Sequence, residues 1–99
     1  MVTDFAALEA AARERLARMQ QLSDDLAAVR VVHAHDSGAI TITVDGAARL
    51  LDLRVSEGVS QLSPAEFERA VVSTAAAAAQ QALGLRAALI EDFNGQVNE

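Results

Sequence analysis

The side chains of this 99-residue sequence best suited to chemistry are its arginines, which supply all eight basic residues. Arg13, Arg15 and Arg18 stand roughly one helical turn apart. Guanidinium groups so placed match phosphate oxygens, and a set of them would give strongly salt-dependent binding to a nucleic acid backbone. Arg49 and Arg54 form a second candidate set, with Asp52 between them in sequence as a competitor. The opposing reading is a solvated face on which Asp4, Glu9 and Glu14 pair with the helical arginines. Such exposed pairs are common and weak.

Other chemistry lacks its parts. There is no Cys, Lys or Tyr to act as nucleophile or base. His33 and His35 lie two apart, so on a regular strand both point to one side while Asp36 points to the other. A metal site needs a third converging ligand, and none is in view. Asp24-Asp25 reads as solvated helix surface, Asp45-Gly46 as a turn, and no glycine-rich phosphate loop exists. The sequence therefore predicts no catalytic residue, no metal, no cofactor and no small-molecule substrate. It is read as a non-enzyme.

The elements that must position the arginines follow from periodicity. Thr3 predicts an N-cap with Asp4 in the first turn of a helix reaching about Val29. Phe5, Leu8, Ala12, Met19, Leu22, Leu26 and Val29 form a heptad seam, broken where Arg15 takes an apolar place. Val29–Asp36 turns β-branched and reads as a first strand. Ile40, Ile42 and Val44 alternate with Thr41, Thr43 and Asp45 in a second. After Asp45-Gly46, Leu51, Leu53 and Val55 alternate with Asp52, Arg54 and Ser56 in a third, with Leu50 spoiling the outer face. Ser63-Pro64-Ala65-Glu66 is a capping box with proline at the first helical position. The helix it opens carries the seam Phe67, Val71, Thr74, Ala78, Ala82, Leu85 and Leu89, with its end expected at Asn94-Gly95. Gly84 inside it suggests a bend or a tight contact. The fold class is α/β, of the α+β kind: one domain over residues 1–99, α-β-β-β-α, with a small antiparallel sheet between two long helices.

Composition says what completes this fold. Of 99 residues 22 are alanine and only 3% aromatic, so one copy builds a thin core. The first helix, at about 26 residues, would be roughly 40 Å long, out of proportion to a single domain of this length. Both features predict a homodimer, with Leu22, Leu26, Leu50, Leu85 and Leu89 in its interface. No secretory leader or apolar run of about 18 residues is seen, so the expected location is the cytoplasm, including the nucleoid, with no membrane partner.

The order of motifs also resembles a known family. A heptad-bearing helix leads to Ser37-Gly38-Ala39-Ile40-Thr41-Ile42-Thr43-Val44-Asp45-Gly46, then Leu53-Arg54-Val55-Ser56, then a capped helix with a run of small residues. This is similar to the YbaB/EbfC family of bacterial nucleoid-associated proteins, in which an SGxGxVxVxxNG-like stretch precedes an apolar-acid-apolar-Asp stretch. The resemblance implies a tweezers-shaped homodimer whose projecting helices bind double-stranded DNA with little sequence preference. Here the sequence departs from the family's lysine-rich arms and basic tails. It has no Lys, ends Gln96-Val97-Asn98-Glu99, and carries a net charge of −6. Leu51 and Asp52 stand where basic residues are common. Actinobacterial paralogues associated with type VII secretion look similar, which implies an alternative: a non-catalytic adaptor for a secretion-related protein, with DNA binding lost.

Overall fold

Asp4 caps the first helix by accepting the Ala7 N–H at 3.1 Å, so it stands outside the first turn rather than in it. The computed structural model describes residues 4–97, and the expected Thr3 cap lies outside them. The elements follow the predicted order: α1 (Phe5–Ala28), β1 (Arg30–Ala34), β2 (Ile40–Asp45), β3 (Leu50–Val55) and α2 (Pro64–Val97). A short 3-10 helix at Glu57–Gln61, not anticipated from the sequence, links β3 to α2.

The strands form one antiparallel sheet in the order β1-β2-β3. The central β2 buries Ile40, Ile42 and Val44 on one face and half-buries Thr41, Thr43 and Asp45 on the other, as its alternation required. β1 is shorter than Val29–Asp36. Val29 already belongs to the end of α1, and after Ala34 the chain turns, with the Gly38 N–H donating to the His35 carbonyl at 2.8 Å. Gly38 takes a φ of 74° there, a conformation that glycine adopts without a steric penalty. β3 carries a register irregularity opposite Thr43 and Val44, so Leu50 stands opposite Val44 and Asp52 opposite Thr43. Leu50 is thereby drawn into register with a core residue rather than left merely on the outer face.

α2 begins with the predicted capping box. The Glu66 N–H donates to Ser63 Oγ at 3.1 Å, and the Ser63 N–H donates to Glu66 Oε1 at 3.2 Å. Its seam packs on β1 and β2. Ala70, Thr74, Ala78 and Ala82 are buried, with Phe67, Val71 and Leu89 partly buried around them. Small residues along this face bring the helix axis close to the sheet. Leu85, expected in the same seam, is exposed. The helix does not stop at Asn94-Gly95 but runs through to Val97. Among the described residues nothing crowds Gly95, and its φ is not left-handed, so its freedom is unused and its cost of about 1 kcal/mol against alanine does not end the helix.

Beyond the sheet the two helices run antiparallel. Arg18 reaches the Gln96 carbonyl at 3.4 Å, and Leu22, Leu89 and Phe93 line the groove between them. Every residue from Asp4 to Ala17 is exposed. The chain is a rod of 76 × 18 × 14 Å with a radius of gyration of 20.7 Å, against about 13 Å for a compact domain of this length.

Candidate nucleic-acid interface

The helical arginines sit on α1 as their spacing predicted, but two of the three are already paired. Arg13 bonds Glu9, and Arg18 bonds Glu14 at 3.0 Å. These are i, i+4 pairs on an exposed surface, the arrangement that helical periodicity makes easy. Asp4, the third proposed partner, serves as the cap instead. Arg15, between them, has no carboxylate within pairing distance among the described residues.

On the sheet, Arg54 Nε donates to Asp52 Oδ2 at 2.9 Å, so the competitor suspected from the sequence is the partner observed. Arg49 Nε donates to Asp45 Oδ2 at 3.1 Å. Asp45 Oδ1 also accepts the backbone N–H groups of Ala47 and Arg49, each at 2.9 Å. The Arg49 N–H above all, then the Ala47 N–H and the Arg49 guanidinium, hold the Asp45 carboxyl below the ordinary carboxylate range. This network organises the β2–β3 turn, which spans Gly46 to Arg49 and is longer than a two-residue hairpin.

The turn places Arg49 in a cleft of about 370 Å³ that Arg30 and Arg86 also line, with Leu26, Asp45 and Gly46 among the other walls. Arg30 comes from the start of β1. Its Nη1 donates to the Ala27 carbonyl at 3.0 Å and to the Val29 carbonyl at 2.7 Å, closing the C-terminal end of α1. Arg86 comes from α2. Sequence reasoning named Arg49 but missed these two, because positions 30, 49 and 86 share no local period. Only the return of α2 alongside α1 brings them together.

The model of the YbaB/EbfC DNA-binding family matches residues 2–97. This chain belongs to that family. No curated protein sequence matches it. Among solved structures, an uncharacterized protein of Helicobacter pylori, HP0035, is similar with a TM-score of 0.68 at 14% identity. The match covers 93% of this chain and 98% of that one. At that identity the likeness speaks to the fold alone.

The histidines make a different local structure from the one their spacing suggested. His33 stands opposite Ile42, and His35 Nδ1 lies 2.8 Å from Ser37 Oγ and accepts the Ser37 N–H at 3.2 Å. Asp36 lines the same shallow pocket as both histidines, because the strand has ended before it. Among the described residues no three metal-ligating side chains converge.

The leucines proposed for an interface divide into two groups. Leu22, Leu26 and Leu89 are half-buried within the chain, Leu22 and Leu89 in the α1–α2 groove. Leu50 and Leu85 are exposed, as are Leu51, Leu53 and Val55 on β3 and Phe5, Leu8, Leu16 and Met19 on α1. Among the described residues no helix is long and apolar enough to cross a membrane.

Proposed function

We propose that this chain is a homodimeric nucleoid-associated protein that binds double-stranded DNA through arginine–phosphate contacts, without strong sequence preference. The observation that carries the reading is the family match over residues 2–97. The geometry supports contact with the backbone rather than with bases, since the exposed cations are guanidiniums scattered over a rod instead of a single helix face shaped for a groove. Arg15 is the member of the α1 set free to meet a phosphate. Arg13, Arg18, Arg49 and Arg54 can do so only by sharing or leaving a carboxylate, which weak exposed pairs allow.

The homodimer reading is supported by the surface one copy leaves uncovered. The accessible surface is 7160 Å², against about 5400 Å² for a compact monomer of this mass. The chain's exposed large apolar side chains lie on β3 and the projecting half of α1, with Val72, Leu83 and Leu85 on α2 and Val32 on β1. Leu50 and Leu85 would meet the second copy, with Leu22, Leu26 and Leu89 presenting what remains of their surface. A location at the cytoplasmic nucleoid follows from this reading.

Titration of two unrelated 20-base-pair duplexes, followed by fluorescence anisotropy, tests it. Similar affinities that fall steeply between about 50 and 200 mM salt are expected. A folded protein that leaves both duplexes free at the lower salt would overturn the DNA reading. One observation favours a second reading. Four of the five arginines first proposed carry their own carboxylates, which suits an acidic adaptor for a secretion-related protein on the same scaffold. Absence of duplex binding would turn the search to protein partners.

A further inference from the structure

We propose that the cleft between the C-terminal end of α1, the β2–β3 turn and the middle of α2 is a phosphate-binding site for the DNA backbone, with Arg30, Arg49 and Arg86 as its ligands. The inference rests on the DNA-binding reading above and assigns it a place distant from the α1 arm.

Charge is the first argument. The chain carries 14 acidic residues against eight arginines, yet three arginines line this cleft with Asp45 as the one acid among its walls. That acid is already engaged by two backbone N–H groups and by Arg49 Nε. Three guanidiniums against one carboxylate leave a local formal charge of +2 on a molecule of net charge −6. On α1, by contrast, Arg13 and Arg18 are each matched by a carboxylate one turn away.

Preorganisation is the second. Arg30 is anchored through Nη1 to two carbonyls, which also counters the negative end of the α1 dipole that would otherwise repel an anion here. Its Nη2 and Nε make no hydrogen bond among the described residues. Arg49 is held by Asp45 through Nε, and its two Nη groups make no hydrogen bond among the described residues. Arg86 has neither ion pair nor hydrogen bond among the described residues and stands on a helix that the sheet holds in place. Two anchored planar forks and a third, unpaired guanidinium, carried by three separate elements, suit the paired oxygens of a phosphodiester. Ordering Arg30 and Arg49 beforehand reduces the entropy lost on binding.

The test compares Arg86→Gln with Arg69→Gln. Arg69 is exposed on the same helix, about 25 Å away along its axis, and its loss changes the net charge equally. Wild type and both variants are titrated against a fluorescein-labelled 20-base-pair duplex at several salt concentrations, with folding checked by circular dichroism. R86Q is expected to lower the slope of log K against log salt by about 0.9 per lost contact, so about 1.8 for a dimer, while R69Q leaves it unchanged. A wild-type slope in R86Q, or an equal drop in both variants, overturns the site while leaving the DNA reading intact. Failure of the folded wild type to bind the duplex overturns the DNA reading, and this site with it.

Discussion

At the β2–β3 turn, the glycine and the left-handed residue are not the same residue. Ala48 carries a φ of 63°, and Gly46 does not. Gly46 is needed for a different reason: a Cβ there would lie 2.8 Å from the Leu26 carbonyl oxygen, against the end of α1. Two opposite outcomes follow. Ala48→Gly should stabilise the chain by up to about 1 kcal/mol by relieving the left-handed penalty. Gly46→Ala should destabilise it by about 1–3 kcal/mol, since backbone must move to admit a methyl group. Urea unfolding midpoints of the two variants read both signs. The sequence marked Asp45-Gly46 as a turn, and the structure adds that the left-handed residue of that turn is Ala48. The same network predicts an acid response. Asp45 is held low mainly by the Arg49 N–H, and Glu66 is held low by the Ser63 hydroxyl and then its N–H. A carboxyl whose folded value is depressed contributes stability above its unfolded value of about 4, and that contribution is lost as pH falls through the folded value. The urea midpoint should therefore be level from neutral pH to about 5 and fall below about 4. The fall should be smaller in Asp45→Asn, which keeps an oxygen for the two N–H groups but no charge to lose. An identical fall in that variant would show that the Asp45 charge does not matter.

Among the elements, α2 was the most legible. Its start was written in Ser63, Pro64 and Glu66, which act within one turn of one another. Ser63→Ala should cost about 1 kcal/mol, read in thermal unfolding. Its end was not legible, because whether a glycine stops a helix depends on whether the chain beyond has somewhere else to go. Gly84 was expected to mark a bend or a tight contact, yet among the described residues nothing outside its own stretch of helix backbone lies within 4 Å of where its Cβ would stand. Gly84→Ala should then raise stability by about 0.5–1 kcal/mol through helix propensity alone. A variant that instead weakens self-association would place a second copy against that face. On α1 the heptad seam is present but divided. Leu22 and Leu26 are half-buried beside α2, while Phe5 and Leu8 are 77% and 58% exposed. Periodicity announces an apolar stripe; it does not say what covers it.

For the molecule as a whole, the decisive quantity is the mismatch between helix length and sheet width. α1 and α2 run about 36 and 51 Å, while a three-stranded sheet spans only about 10 Å from its first strand to its last. β3 is exposed along its whole length, so among the described residues neither face of this edge strand is fully covered. Sedimentation equilibrium should report about twice the 10.4 kDa chain mass at micromolar concentration. Leu50→Asp should shift it to the single-chain mass without unfolding, since Leu50 is already 60% exposed in one copy. A folded wild-type monomer at tens of micromolar would overturn the dimer.

The sequence by itself determined the order of the elements, the buried face of β2 and the capped start of α2, and it offered the Glu9 and Glu14 ion pairs of α1 as one of two readings. Each rests on neighbours two to four residues apart, where strand and helix periods leave the chain little choice. The tertiary structure alone decided the register irregularity that sets Leu50 opposite Val44, the left-handed Ala48, and the cleft shared by Arg30, Arg49 and Arg86. These depend on how α2 folds back along the sheet and α1, and contacts between residues far apart in sequence leave no period to read.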